Sequence, residues 1–360
     1  MYQSLRRTLS TATKLIRRSG KAALALQKQA VKAAKPVVAK AKAKPHKVKP
    51  HKAKLGTVAP KSTANLATPL TRPRPVNGSN FKSCAFPTAQ GNRSYRLYRP
   101  EDVGSPVPRP LLIMLHGCTQ SPDDFARGTG MNLLADQMGF IVAYPTQTRQ
   151  ATRNKCWNWY RPANMARDGG EPAMIVGMTQ EIVAHHRVDR ARVYIAGFSA
   201  GGAAAAAIAA AYPEIYAAVG VHSGLPVGAA RSGLSALVAM RAGSAGVQQS
   251  VPMPTIIFHG NDDEVVNPRN GRAIAARAVA TFPALTETVK NGKSKGAFRK
   301  TAHRGSNRKS YCEYWAIAGT GHAWSGGNPA GSFAQAAGPD ASREMMRFFM
   351  QHRLPVTGVA

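Results

Sequence analysis

Gly197-Phe198-Ser199-Ala200-Gly201 separates two runs of opposite character. Before it, Arg192-Val193-Tyr194-Ile195-Ala196 is apolar and β-branched, the pattern of a buried strand. After it, Gly202 to Ala211 is almost pure alanine around Ile208, the pattern of a helix. By itself the pentapeptide is a weak signal. Between a strand and a helix, Gly-x-Ser-x-Gly reads as a nucleophile elbow. The turn is so tight that Ser199 must take a strained backbone conformation, and side chains two positions to either side would collide. Glycines at 197 and 201 remove the collision, and the strain lifts the Ser199 hydroxyl clear of the sheet.

A serine that transfers an acyl group needs a base, an orienting carboxylate and an oxyanion hole. In α/β-hydrolases the order along the chain is Ser, then Asp or Glu, then His. Downstream, Pro254-Thr255-Ile256-Ile257-Phe258 is strand-like and runs into His259-Gly260-Asn261-Asp262-Asp263-Glu264. Asp262, Asp263 and Glu264 therefore compete for the acid. Further on, the strand-like Tyr314-Trp315-Ala316-Ile317-Ala318 ends in Gly319-Thr320-Gly321-His322, which offers His322 as the base. Upstream, Leu111-Leu112-Ile113-Met114-Leu115 is a buried strand followed by His116-Gly117-Cys118-Thr119-Gln120. That turn and the residue after the nucleophile would supply the oxyanion hole through the amides of Cys118 and Ala200. Losing one such donor typically costs about 3–4 kcal/mol of transition-state stabilisation. Taken singly, a His-Gly turn, an acidic loop and a glycine-flanked histidine are ordinary structural features. Four elements in the right order, each at a strand end, point to a hydrolase.

Together, His116 to Gln120, Cys156-Trp157-Asn158-Trp159-Tyr160, Gly197 to Gly202, Gly321-His322-Ala323-Trp324-Ser325-Gly326-Gly327 and Gly338 to Arg343 resemble the poly(3-hydroxybutyrate) depolymerase family of esterases. The resemblance covers about residues 90 to 353. It implies an α/β-hydrolase fold, with a mostly parallel central sheet flanked by helices. It also implies Ser199 as nucleophile, Asp263 as acid and His322 as base, with no metal or cofactor. Asp263 is singled out because the family's acid lies three positions past the His-Gly glycine; Asn261 stands where the family often has Asp. Trp157, Trp159, Tyr160 and Trp324 are expected as an apolar wall for a short aliphatic chain, or else as core. Cys118 and Cys156 both fall in the family motifs beside the site, so a disulfide between them is open, as is a pair of buried free thiols. The implied substrate is a short-chain hydroxyalkanoate polyester or its oligomers. A feruloyl or acetyl-xylan esterase is the rival within enzymes.

Composition divides the chain. Residues 1–100 hold 23 Lys or Arg and no acid, whereas the remainder holds 26 against 17, so +23 and +9 make up the net +32. A basic Lys/Ala/Pro-rich arm is expected over 1–80 and a catalytic domain over 81–360. Within the arm, Leu5, Leu9, Ala12 and Ile16 recur at helical spacing among arginines, so 2–33 is a basic amphipathic helix candidate. Residues 36–80 read as a disordered linker, with Pro36, Pro45 and Pro50 blocking a long helix. The start of the chain looks unlike a secretory signal, although an organelle transit peptide fits its Arg-rich, acid-free character. No stretch approaches the ~20 apolar residues of a membrane span. An anionic surface, either a storage granule or nucleic acid, is the expected partner of the arm. A nucleoid-binding role with an incidental hydrolase domain is the rival reading of another class. Secreted members of the family usually carry a further substrate-binding domain. Here the last feature is an amphipathic helix from Ser342 to His352, which leads to the expectation of a cytoplasmic, granule-associated enzyme, with secretion as the alternative.

Overall fold

A computed structural model describes residues 80–355 apart from 89–91, 102–106, 165, 248–250 and 294–295. The helix expected over 2–33 and nearly all of the linker expected over 36–80 lie outside the described residues.

The strand patterns read from sequence are parts of one sheet. In chain order its strands are β1 (Phe81–Phe86), β2 (Arg93–Tyr98), β3 (Arg109–Leu115), β4 (Ile141–Pro145), β5 (Val188–Phe198), β6 (Ala218–His222), β7 (Thr255–Gly260), β8 (Thr286–Gly292), β9 (Phe298–Arg304) and β10 (Ser310–Ile317). Their order across the sheet is β1-β2-β4-β3-β5-β6-β7-β10-β9-β8. From β4 to β10 neighbouring strands pair in parallel, while β1, β2, β9 and β8 form antiparallel margins. Helices α1 (Pro122–Thr129), α2 (Met131–Met138), α3 (Gly170–His185), α4 (Ala200–Ala211), α5 (Gly233–Ala242), α6 (Arg269–Val279) and α7 (Ala341–Phe349) cover the faces. Two short strands, β11 (Trp324–Ser325) and β12 (Ala334–Gln335), pair separately.

Both faces of the parallel strands are buried, which is why those strands read as unbroken apolar runs. Side chains alternate between the faces. Leu111, Ile113 and Leu115 of β3 pack with Ile175 of α3, the alanines of α4 and Ile274 of α6. Leu112 and Met114 pack on the other side with Phe125 of α1, Leu134 of α2 and Met345 and Phe349 of α7. Full burial of a side chain such as Leu111 or Phe349 contributes roughly 1.5–3 kcal/mol. The alanine helix α4 is buried from Ala200 to Ala209, and its short side chains let it lie close to the sheet.

Chain order fixes where a site can form. From β3 the chain runs to β4 on one side, then crosses to β5 on the other. Helices therefore leave the adjacent ends of β3 and β5 in opposite directions and open a crevice there. His116-Gly117-Cys118 follows β3, and Ser199 follows β5.

Candidate active site

Ser199 has φ 56° and ψ −121°, a conformation that a residue bearing a Cβ adopts only under constraint. The constraint is visible. Its amide donates to the carbonyl of His222 (2.9 Å), and its carbonyl accepts from Ala203 in α4 (3.0 Å). The flanking glycines are steric necessities. A Cβ on Gly197 would lie 2.3 Å from the carbonyl oxygen of Gly201, and one on Gly201 would lie 2.1 Å from that of Leu115. The elbow is thus pressed against the end of β3. Ala200 opens α4, so its amide has no acceptor within the helix.

β7 and β10 are parallel neighbours, with Gly260 opposite Ile317. The turns that follow them are laced together, Asn261 N to Ile317 O (2.8 Å) and Asp262 N to Thr320 O (3.1 Å). This brings Asp263 to His322, whose Nδ1 donates to Asp263 Oδ2 at 2.7 Å. Asp263 Oδ1 accepts from the amides of Val265 (3.0 Å) and Val266 (2.8 Å). His259 Nε2 donates to Val266 O (2.8 Å) and lies 3.5 Å from Asp263 Oδ2. Burial alone would raise the Asp263 carboxyl. The His322 imidazole and the hydrogen bonds offered by His259 and His322 outweigh it, holding the group well below the usual carboxylate range. An ionised Asp263 fixes the proton of His322 on Nδ1 and leaves the Nε2 lone pair available. Asp262 and Glu264 are exposed, so of the three competing acids Asp263 is the one held at His322. His322 packs on Phe198 with ring centroids 4.7 Å apart, which seats it beside the elbow.

The turn after β3 is built as a rigid cup. Gly117 N donates to Gln120 Oε1 (2.9 Å), and Gln120 Nε2 donates to Ser332 O (2.8 Å). Thr119, at φ 69°, donates its amide to Asn154 O (2.6 Å). Cys118 and Cys156 form a disulfide with Cα atoms 4.3 Å apart. Closing a loop of sequence separation 38 contributes roughly 4 kcal/mol in the chain-entropy picture. Behind the disulfide, Glu171 accepts from Asn158 N (2.7 Å), Asn158 Nδ2 (2.8 Å) and Gln147 Nε2 (2.5 Å). Its carboxyl is raised by burial.

The tryptophans correct the sequence reading. Trp157 is 0% exposed and donates Nε1 to His116 O (2.9 Å); Trp324 is 1% exposed and donates Nε1 to Ser342 Oγ (3.1 Å). Trp159 is buried, edge-on to the half-buried Tyr160. Fully enclosed rings offer no wall to a substrate; Trp157 and Trp324 brace the turns instead. Gln120 and Glu171 are the braces that sequence reasoning passed over. Phe333 was passed over as well. It is half-buried, at φ 52°, with its ring 6.4 Å from that of His322.

Three buried histidines make stability depend on pH. His116 donates Nδ1–H to Gly117 O (2.8 Å) and accepts at Nε2 from Gln147 N (3.2 Å), so it is neutral. Burial pushes it down to about 4, as it does His352, and pushes His222 further down. Folded values below unfolded ones mean that stability is complete above about pH 6.5 and is lost as pH falls through the window toward 4. Near pH 5.5 the slope from three such groups is about 3–4 kcal/mol per pH unit. Glu171, whose folded value is raised by burial, acts in the opposite sense as pH falls through that value. Urea unfolding at pH 7 and pH 5 should show a loss of several kcal/mol; equal stabilities would contradict the buried, neutral assignment.

Among the described residues no group of three or more His, Cys, Asp or Glu is arranged to hold a metal ion, and no helix is long and apolar enough to cross a membrane. The arrangement has known parallels. An acetyl xylan esterase from Aspergillus awamori superposes with a TM-score of 0.59 at 19% identity, covering 75% of this chain and 99% of that one, a likeness of fold. Poly(3-hydroxyalkanoate) depolymerase C of Paucimonas lemoignei is 30% identical over 253 residues, 66% of this chain and 60% of that one. A poly(3-hydroxybutyrate) depolymerase of Ralstonia pickettii is 27% identical over 239 residues, 61% and 49% of the two chains. Feruloyl esterase B of Neurospora crassa is 34% identical over 116 residues, 32% and 39%. The match thus spans about half to three fifths of the two depolymerases' own length. The family described as esterase PHB depolymerase matches residues 93–296, which take in the cup after β3, the elbow and the Asp263 turn. With the α/β-hydrolase sheet beneath those same elements, the chain belongs to the PHB depolymerase family of esterases.

Proposed function

We propose that the protein is a serine esterase that cleaves short-chain hydroxyalkanoate polyester, or its oligomers, through an acyl-enzyme. The observation that carries this reading is the 2.7 Å bond from His322 to a buried, ionised Asp263 beside a strained Ser199 elbow. Ser199 Oγ attacks the ester carbonyl while His322 Nε2 takes its proton. Asp263 holds the ring in the required tautomer and stabilises the imidazolium that forms. The amides of Cys118 and Ala200 receive the oxyanion. His322 then protonates the departing alcohol, and water repeats the sequence on the acyl-enzyme. No metal or cofactor enters the scheme.

The acid assignment has a direct test. Asp263→Asn should lower kcat by roughly 10⁴-fold, because Asn favours the wrong His322 tautomer. Asp262→Asn, at an exposed carboxylate, should change kcat less than about twofold. The reverse pattern, measured on a soluble short-chain ester, would move the acid to Asp262.

The polyester reading draws on the two depolymerase relatives, which align with 66% and 61% of this chain against 32% for the feruloyl esterase. A carbohydrate esterase is the second reading, motivated by the feruloyl and acetylxylan relatives. The Cys118–Cys156 disulfide favours an oxidising compartment, and so secretion over the cytoplasm. The arm over 1–80 is the proposed attachment to an anionic surface. Its deletion should leave turnover of a soluble ester within about twofold while weakening binding to polymer granules or DNA. That binding should fall steeply between low and moderate salt, because each lysine contact releases counterions. Equal binding by the truncated chain would remove the targeting role.

A further inference from the structure

Phe333 combines three observations that the scheme above leaves unused. Its φ of 52° is a genuine outlier for a bulky residue, since the left-handed region crowds its Cβ. Its ring is half-buried and stands edge-on to His322, with centroids 6.4 Å apart, and 6.2 Å from Phe198. Its loop is over-fastened. Ser332 N donates to Asp124 Oδ1 (3.0 Å), the Ser332 hydroxyl bonds Asp124 Oδ2, and Gln120 Nε2 donates to Ser332 O. Phe333 O accepts from Trp324 N (2.7 Å), and Gly331 packs so tightly on Gly128 that a Cβ there would lie 2.4 Å from Gly128 Cα. Strain of this kind persists where the surroundings impose it. The residue packs against the core on one side and is only partly buried, so part of its surface is left to meet something else.

The chemistry of the step says which part of a substrate meets this ring. The departing alcohol oxygen must come within hydrogen-bond reach of the His322 nitrogen that protonates it. A ring that meets His322 on the side of that nitrogen contacts the alcohol portion of the ester rather than its acyl portion. We propose that Phe333 is the specificity-determining wall of the leaving-alcohol side and selects esters of apolar alcohols, such as the aliphatic hydroxyl of a hydroxyalkanoate unit. The proposal rests on the esterase reading. A phenyl ring offers no hydrogen-bond partner to the hydroxyls of a sugar alcohol, which makes acylated sugar the contrasting substrate. Phe333 is then what turns the shared hydrolytic machinery toward polyester and away from acylated carbohydrate.

The test holds the acyl group constant and varies the alcohol. With the full chain, kcat/KM is measured for butyrate esters of methanol, of 2-propanol and of methyl 3-hydroxybutanoate, and for butyrylated xylose. In the wild type kcat/KM should rise with the apolar size of the alcohol and be lowest for xylose. Phe333→Ala should flatten that rise, losing about tenfold on the hydroxybutanoate ester and much less on the methyl ester. Phe333→Leu should restore most of the slope. A second series, with methanol constant and acetate, butyrate and hexanoate varied, should keep its wild-type order in Phe333→Ala. Equal losses on all alcohols, or a change confined to the acyl series, would overturn the proposal while leaving the esterase reading in place. A wild-type chain inactive on every ester would overturn both.

Discussion

Ser199→Ala is expected to lower kcat for a soluble short-chain ester by roughly 10⁴- to 10⁶-fold, with unfolding stability within about 1 kcal/mol of wild type. Both halves matter. The hydroxyl is the proposed nucleophile, so its loss leaves only the binding surface and the oxyanion amides. Structure should survive because alanine keeps the Cβ, and the backbone bonds to His222 and Ala203 do not involve the side chain. His322→Ala should give a similar loss, and the double variant little more, since the two residues act as one unit. Ser199→Gly should be equally inactive yet somewhat more stable, because φ 56° costs glycine nothing. A Ser199→Ala enzyme with more than about a hundredth of wild-type kcat would contradict the mechanism.

Gly201→Ala should be among the most damaging one-carbon changes in the domain, costing upward of about 3 kcal/mol. The added Cβ would lie 2.1 Å from Leu115 O and 2.5 Å from His116 O. Both are backbone atoms at the end of a central strand, so neither can swing aside as a side-chain tip would. Relief requires β3 and α4 to separate, which would also displace the amides of Cys118 and Ala200 from one another. Activity and stability should therefore fall together. Gly233→Ala is the control: a Cβ there meets nothing within 4 Å, and helix propensity favours alanine. Urea unfolding of the two variants checks the contrast, and a Gly201→Ala protein as stable and active as wild type would show that the elbow is looser than described.

The elbow, the parallel sheet and the strand-end positions were legible because their signals are local. Apolar runs mark strands buried on both faces, and Gly197, Ser199 and Gly201 encode a turn that few other sequences satisfy. Choosing among Asp262, Asp263 and Glu264 was harder. Neighbouring carboxylates look alike until the Val265 and Val266 amides and the His322 ring decide which one is enclosed. Trp157 and Trp324 stayed open between substrate wall and core, and only their burial decides for core, because a large ring beside a motif has the same sequence signature whether it faces the crevice or braces the turn. Phe333 left no signal. Its position depends on Ser332 reaching Asp124 and Gln120, more than 200 residues away. The antiparallel margins went unread too: β8, exposed along nearly all its length, carries no apolar alternation.

The most direct test of the central claim is covalent. The full chain is incubated with a fluorophosphonate, which mimics the tetrahedral intermediate, and the adduct is mapped by peptide mass spectrometry while residual ester hydrolysis is followed. The account predicts a single adduct on Ser199, with activity lost in proportion to labelling and no adduct in Ser199→Ala. Full activity in a protein modified stoichiometrically at Ser199, or inactivation that tracks an adduct on another residue, would contradict it.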